Sequence, residues 1–151
     1  QNSIEAICKV FVRDYGNELN NVLYYGDAQG SRRIEGLGDG YTRFDEVRKG
    51  LTRFITNSSN RTTRRNQGVL KRRDLINKIF NGDITFLGKK VNIFFDIQMT
   101  ETIKDFRDLQ LGVDGKLKKI VRDERGNSYQ ELGHTSDAVE YLVCKVLENY
   151  L

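Results

Sequence analysis

Two aspartates stand where a carboxylate could bind a metal ion. Asp27 follows the apolar run 22–25 and Gly26, so it lies at the end of a predicted strand, where ligands collect in α/β sheets. Asp137 lies in the first turn of the last amphipathic helix, three residues after His134. Carboxylates prefer Mg²⁺ or Mn²⁺, and two such ions about 3.5–4 Å apart can promote phosphodiester hydrolysis. We therefore expect Asp27 and Asp137 to be metal ligands at a catalytic site with two ions.

Each of these residues also has a structural interpretation. Asp27 could be a turn aspartate, and an acid such as Asp137 near a helix N-terminus gains about 0.3–1 kcal/mol from the helix dipole. His134 is the single histidine of the chain, and it could be a structural residue, a metal ligand or a catalytic proton shuttle. Two-metal sites usually hold more carboxylates than these two, and Asp96 is a weaker third candidate.

The chain is basic, and part of its positive charge is concentrated. It has 151 residues, with 25 Lys and Arg against 21 Asp and Glu and a formal net charge of +4. A basic cluster between Arg61 and Arg73 fits a partner with a phosphate backbone, although a solvated surface segment explains such clusters about as often. A nucleic acid such as DNA is the expected partner. The residues expected to contact it are Arg64, Arg65 and Arg72 in the cluster, and Arg32 and Arg33 in an upstream glycine-rich loop.

Several function classes are disfavoured by the sequence. Cys8 and Cys144 lack nearby Cys or His partners, so we expect two small core residues in a reducing compartment rather than zinc ligands. The segment 82–90 lacks the spacing and the hydroxyl residue of a phosphate-binding P-loop, so no ATP site is expected. No signal peptide or membrane-length apolar run is evident, and we expect a cytoplasmic protein without a membrane partner.

Hydrophobic periodicity predicts helices interleaved with strands, hence an α/β layer fold in a single domain, residues 1–151. A polar, basic and mobile loop is predicted over residues 56–67. The predicted helices are residues 4–15, one centred on 41–54, residues 69–80, one capped by Thr100, and one beginning at Thr135 or Ser136. The predicted strands are a fully buried one at 22–25, a half-buried one at 91–97 and a hairpin over about 116–132.

Three segments together resemble a known family. They are Tyr24-Tyr25-Gly26-Asp27-Ala28-Gln29-Gly30, Thr102-Ile103-Lys104-Asp105-Phe106 and Gly133-His134-Thr135-Ser136-Asp137-Ala138-Val139-Glu140-Tyr141. In order and rough spacing they are similar to the C-terminal nuclease domain of the terminase large subunit of tailed bacteriophages. The resemblance implies a ribonuclease H-like, three-layer α/β/α fold and a Mg²⁺- or Mn²⁺-dependent endonuclease that cuts concatemeric double-stranded DNA during genome packaging. It also implies a phage- or prophage-encoded protein of the bacterial cytoplasm, with the terminase small subunit and the portal as partners.

The family's functional residues map onto positions of this chain. Asp27 matches the second catalytic aspartate, at the end of the fourth strand, and Asp137 matches the last one. His134 matches a histidine found there in some members. A basic hairpin carrying Lys116, Lys118 and Lys119 resembles one that faces DNA in the family.

The chain also departs from the family pattern. The first catalytic aspartate lies on a strand that would precede residue 1, so the first three strands and the packaging ATPase domain are missing from this chain. We expect a fragment of a longer protein or a truncated product. A sheet edge left open in this way favours self-association or pairing with another segment.

Two other functions remain open from the sequence. A non-catalytic DNA-binding or assembly module would bind DNA in a salt-sensitive way without needing Asp27. Another ribonuclease H-like nuclease, such as a junction resolvase, would prefer branched DNA to linear duplex.

Overall fold

The computed structural model describes residues 3–17, 21–36, 40–113, 115–116 and 120–148. Within these ranges the chain is mixed α/β, with α-helices and short strands in two-stranded sheets. It divides into two compact units, Gln1–Asn66 and Gln67–Leu151. The single domain expected over residues 1–151 remains a prediction. No helix among the described residues is both long enough and apolar enough to cross a membrane.

The first unit contains a parallel strand pair next to two helices. In chain order its elements are α1 (Ile4–Tyr15), β1 (Asn21–Tyr24), a 3₁₀ turn (Ala28–Ser31), α2 (Arg43–Thr52) and β2 (Asn57–Asn60). The strands β1 and β2 run parallel, with Asn21 opposite Asn57. Because the strands are parallel, their carboxyl ends meet at the same edge, and the chain leaves both strands there.

Local sequence explains why the two helices of this unit begin where they do. The Ser3 side chain accepts a hydrogen bond from the Ala6 N–H at the start of α1. At the start of α2, Thr42 and Asp45 form a reciprocal capping box. The two helices pack closely because α2 carries Gly50, where a Cβ would lie 2.8 Å from Cys8 Sγ.

Two expectations for the first unit need correction. The strand at 22–25 was expected to be covered on both faces. In this unit Val22 and Tyr24 pack on a core of Cys8, Leu51 and Ile55, but Leu23 is 44% exposed. The predicted mobile loop at 56–67 contains β2. Its sequence, Asn-Ser-Ser-Asn, has no apolar alternation, so pairing with β1 specifies this strand rather than its own pattern.

The described residues of the second unit form three helices and three small antiparallel hairpins. Its helices are α3 (Val69–Phe80), α4 (Thr100–Asp108) and α5 (His134–Val146). Its strands pair in sequence order: β3 (Thr85–Phe86) with β4 (Lys89–Lys90), β5 (Leu111–Gly112) with β6 (Gly115–Lys116), and β7 (Ile120–Arg122) with β8 (Ser128–Gln130). Its core consists of Leu75, Ile79, Ile84, Cys144 and Leu147.

The extended segment 91–97 was expected to be a half-buried strand. Its burial does alternate, with Val91, Ile93 and Phe95 partly buried and the residues between them exposed. No strand pairs with it in the described part of the chain, and Ile97 is 84% exposed. The apolar pattern therefore identified the buried face over residues 91–95 but not at Ile97, and it did not establish hydrogen-bonded pairing.

The other expectations for this unit are met in part. The bounds of α3 are those predicted, and β7 with β8 confirms a hairpin in the expected region. Helix α4 begins at Thr100, with Met99 rather than Thr100 as its cap. Helix α5 begins at His134, one or two residues before the predicted start, and two of its apolar residues, Leu142 and Val146, are 41% and 55% exposed.

Both cysteines are buried, as expected of small core residues. Burial raises the pKa of Cys144 to about 11 and raises the pKa of Cys8 as well. A thiol with a raised pKa is a poor metal ligand and a poor nucleophile near neutral pH, because the thiolate is the reactive form.

We predict that Leu75→Ala lowers the free energy of unfolding by about 2–5 kcal/mol, because a fully buried side chain leaves a cavity. Leu70→Ala is the matched control, since it makes the same change on the same helix at a side chain that is 52% exposed. Urea unfolding of both variants measures the difference. Equal losses would contradict the core described above.

Candidate functional site

Asp27 is held in a hydrogen-bonded turn at the carboxyl edge of β1. Its Oδ1 accepts hydrogen bonds from the Gln29 N–H and from Asn66 Nδ2, each at 2.7 Å. The Asn66 side chain also accepts one from the Ala28 N–H at 2.9 Å. Asn66 therefore joins the turn after β1 to the end of the segment that follows β2, and it fixes the position of the Asp27 carboxylate.

Two glycines of the turn around Asp27, Gly26 and Gly30, lie against the ring of Phe44. A Cβ at Gly30 would lie 2.9 Å from the Phe44 ring, and one at Gly26 would lie 3.1 Å from it. The aromatic ring of Phe44 fills this space, so the glycines allow the turn to pack on α2.

Exposed arginines follow both strands at this edge. Arg32 and Arg33 are exposed and come directly after the 3₁₀ turn. Arg64 and Arg65 are exposed in the segment after β2, which continues alongside β1 through a hydrogen bond from the Arg61 N–H to the Tyr24 carbonyl. The four arginines expected to contact DNA thus lie on the two segments that leave this sheet edge, as does Asp27, which was expected to bind metal.

In the second unit, the N-terminus of α5 is capped by a carboxylate from another helix. The residue before α5, Gly133, has a φ of +105° and supplies no side-chain cap. Asp105 of α4, which is 4% exposed, accepts hydrogen bonds from the backbone N–H groups of Gly133, Thr135 and Ser136 at 2.9–3.0 Å. The Thr135 hydroxyl donates a fourth at 2.6 Å. These bonds satisfy donors that a helix start otherwise leaves unpaired.

The hydrogen bonds that Asp105 accepts in this cap favour its charged form. Burial alone would raise the pKa of this carboxyl, but the hydrogen bonds from the Thr135 hydroxyl and from the Gly133, Ser136 and Thr135 N–H groups lower it below its ordinary value. Donors that favour the charged form have this effect, and the positive end of the helix dipole acts in the same direction. Asp105 is therefore an ionised buried carboxylate at neutral pH.

The two predicted site residues of this unit lie in the turn that Asp105 caps. His134 is the first residue of α5 and is exposed. Asp137 is one turn further on, with a side chain that is 31% exposed. Its Oδ1 accepts a hydrogen bond from Arg72 Nη2 at 2.9 Å. The helix begins early enough to place His134 and Asp137 on neighbouring positions of one face, as the sequence spacing indicated.

Arg72 belongs to a buried ionic cluster. Its Nε lies 3.1 Å from Oε2 of Glu140, which is fully buried, and Arg73 Nη1 lies 3.4 Å from the other oxygen. Arg72 also donates to the Gln67 carbonyl and packs over the Tyr141 ring. Burial lowers the pKa of Arg72, but the charge of Glu140, the hydrogen bond to Glu140 and the charges of Tyr141 and Asp137 together more than offset that effect, and the pKa is raised. This side chain is only 5% exposed, so it lies in the interior and not on the exposed surface that a DNA contact requires.

The remaining predicted residues are placed as follows. Lys118 and Lys119 lie outside the described residues, and so does the side chain of Lys116. Asp96 is exposed and accepts a hydrogen bond from the Gln98 N–H, as in a turn. Asp27 belongs to the first unit and Asp137 to the second, and the expectation that they share a site remains a prediction. Across the described ranges, no three His, Cys, Asp or Glu side chains are grouped so as to hold a metal ion.

Sequence reasoning missed three residues that shape these sites: Asn66, Asp105 and Glu140. Asp105 and Glu140 lie inside two of the segments that carry the family resemblance, but they were given no role. A helical count could have drawn attention to Glu140, because it lies four residues after Ser136 and four before Cys144, which are both buried. Nothing in the local sequence points to Asn66, since its partner is 39 residues away.

Comparisons with family models, with curated proteins and with solved structures found no match to this chain.

We predict that Asn66→Ala lowers the free energy of unfolding by about 1–2 kcal/mol, because it removes two hydrogen bonds that tie the Asp27 turn in place. The control is Asn57→Ala, at an exposed position of β2. Chemical denaturation measures both variants. A loss for Asn57→Ala as large as that for Asn66→Ala would show that Asn66 has no special role.

We also predict that the free energy of unfolding depends on pH through the carboxyl group of Asp105. Its pKa is lower in the folded protein than in the unfolded chain, so its contribution to stability is fully present above about pH 4 and is lost as the pH falls through the folded-state pKa. The difference in unfolding free energy between the wild type and Asp105→Asn should therefore shrink below about pH 4. A difference in unfolding free energy between the two proteins that stays constant from pH 7 down to pH 3 would contradict this prediction.

Proposed function

We propose that this chain is a metal-dependent DNA endonuclease of the terminase kind, with a ribonuclease H-like arrangement. The observation that carries the proposal is the carboxyl edge of β1 and β2, which combines the fixed Asp27 carboxylate with arginines on both departing segments. A nuclease acting on a phosphate backbone needs cations to hold the backbone and carboxylates to bind metal. Cutting of concatemeric phage DNA in a bacterial host, with the terminase small subunit and the portal as partners, belongs to the same proposal.

The contacts of Asp105 support the resemblance on which this proposal draws. Two of the three segments that resemble the terminase nuclease are residues 102–106 and 133–141. The hydrogen bonds from Gly133, Thr135 and Ser136 to Asp105 join these two segments directly. A physical connection between them gives a reason for both to occur in one sequence pattern.

The donor chemistry of the two aspartates fits Mg²⁺ or Mn²⁺, because both ions prefer carboxylate oxygen. Asp27 is partly exposed, and its bonds to Gln29 and Asn66 orient the carboxylate. Asp137 is partly exposed as well, but a metal there competes with the guanidinium of Arg72. When bound, the metal would supply activation of the attacking water and stabilisation of the leaving oxygen.

The chain's own residues have distinct tasks in this proposal. Arg32, Arg33, Arg64 and Arg65 bind the phosphate backbone, and such contacts carry no sequence information. Weak sequence preference is therefore expected. His134 is exposed at the start of α5, and in this proposal it is the residue that moves a proton.

A second candidate is a DNA-binding or assembly module without catalysis. The observation that favours it is the ion pair between Arg72 and Asp137, because an arginine beside a carboxylate offsets the charge that would attract a metal ion. This module would use the same arginines of the first unit, so both candidates bind DNA, and only one of them cuts it.

We predict that Asp27→Asn lowers the rate of Mn²⁺-dependent DNA cleavage by about 100-fold or more, because a neutral amide is a poor metal ligand. DNA affinity should be retained, since the arginines are unchanged. Asp14→Asn is the control, because it removes the same charge from an exposed position of the first unit. Cleavage of linear duplex and filter binding are measured on the same preparations.

The outcomes separate the candidates. Retained cleavage in Asp27→Asn would remove this residue from the mechanism, and absence of cleavage by the wild type with intact DNA binding would favour the binding module. Binding that does not weaken between about 50 and 200 mM salt would contradict both, because phosphate contacts release counterions. A strong preference for branched DNA would instead favour a junction-resolving nuclease.

A further inference from the structure

We propose, on the basis of the nuclease function above, that Asp105 is a positioning residue for the reaction. It holds the backbone of the first turn of α5, which carries the candidate residues His134 and Asp137. Among the described residues, the hydrogen bonds of Asp105 go to Gly133, Thr135 and Ser136, so its effect on His134 and Asp137 is carried through the backbone of the turn.

The pattern of its hydrogen bonds supports this role. The N–H groups that donate to Asp105 belong to Gly133, Thr135 and Ser136. They lie on both sides of His134 and directly before Asp137. The Asp137 N–H in turn donates to the Gly133 carbonyl at 3.0 Å. The backbone on both sides of His134 and directly before Asp137 is thus fixed to one buried carboxylate.

The chain before α5 needs this external cap. Gly133 has a backbone conformation that favours glycine, and a Cβ there would lie 2.9 Å from Gln130 Nε2. A residue with a capping side chain, such as serine or aspartate, is therefore disfavoured at that position. Since the cap cannot come from residue 133, α4 supplies it.

A carboxylate is the group that suits this position. It offers acceptors only, and four donors converge on its two oxygens. An asparagine would direct its own N–H groups at some of these donors. A glutamate keeps the charge and the acceptors on a side chain that is one methylene longer. Asp105→Asn therefore tests the loss of acceptors, and Asp105→Glu tests a change in side-chain length.

A second contact fixes the carboxylate of Asp137 itself. Arg72 donates to Asp137 Oδ1 and is anchored in turn by the buried Glu140, which is one helical turn further along α5. Asp105 thus fixes the backbone of the turn, while Arg72 orients the side chain of Asp137.

The test is steady-state cleavage of linear duplex DNA with saturating Mn²⁺, using the wild type, Asp105→Asn, Asp105→Glu and Asp74→Asn. The last variant is the matched control, since it removes one negative charge at an α3 side chain that is 62% exposed. Amide hydrogen exchange at residues 133–136 is followed in parallel. All assays run well below the melting temperature of the least stable variant.

We expect Asp105→Asn to lower kcat by about 10- to 100-fold, because a misplacement near 1 Å can have that effect. KM should stay within about twofold, since the DNA-contacting arginines belong to the first unit. Hydrogen exchange at 133–136 should rise, Asp105→Glu should recover part of kcat, and Asp74→Asn should match the wild type.

Two results would overturn the inference, and they are distinguishable. Faster exchange in Asp105→Asn with an unchanged kcat would leave Asp105 with a structural role only, while the nuclease function would stand. Absence of cleavage by the wild type would overturn the nuclease function itself, and the positioning role with it.

Discussion

The second unit depends on one buried ionic contact, between Glu140 and the guanidinium groups of Arg72 and Arg73. Glu140 is fully buried, so its charge would be strongly unfavourable without these partners. Removing one partner of such a contact typically costs about 3–5 kcal/mol, whereas a well-packed apolar replacement of the whole cluster can be neutral or stabilising. The cluster therefore fixes how α3 and α5 pack together more than it adds net stability. Arg72 also pairs with Asp137, so the position of the Asp137 carboxylate depends on the same cluster.

The parts of the fold that the sequence predicts well are those with strong local signals. Helix α3 has the predicted bounds because its apolar residues recur at helical spacing and Gly82 follows it with a positive φ. Helix α1 likewise ends at Gly16, as its sequence indicates. The hairpin of β7 and β8 forms where Asp123 and Gly126 provide a turn, with three hydrogen bonds from residues 125 and 127 to the Asp123 side chain.

What sequence reasoning missed depends on partners far along the chain. The strand β2 is polar and becomes a strand through β1, which is 36 residues before it in register. On α5, Glu140 is buried whereas the apolar Leu142 is exposed. The glutamate can be buried because two arginines of α3 neutralise its charge. Asp27 and Asp137 were singled out as candidates from their positions after a strand and at a helix start. Asn66 and Asp105 were given no role and Arg72 was expected to contact DNA, because a polar contact with a partner far along the chain leaves no local signal.

Both candidate carboxylates are thus fixed by neighbouring residues, which is the organisation expected where geometry matters for chemistry. The most direct measurement is anomalous X-ray diffraction from crystals soaked in Mn²⁺. The account predicts anomalous density against the carboxylates of Asp27 and Asp137, with Arg72 Nη2 displaced from its 2.9 Å contact with Asp137. Density at neither carboxylate at saturating Mn²⁺, with the contact between Arg72 and Asp137 intact, would contradict a metal-dependent nuclease.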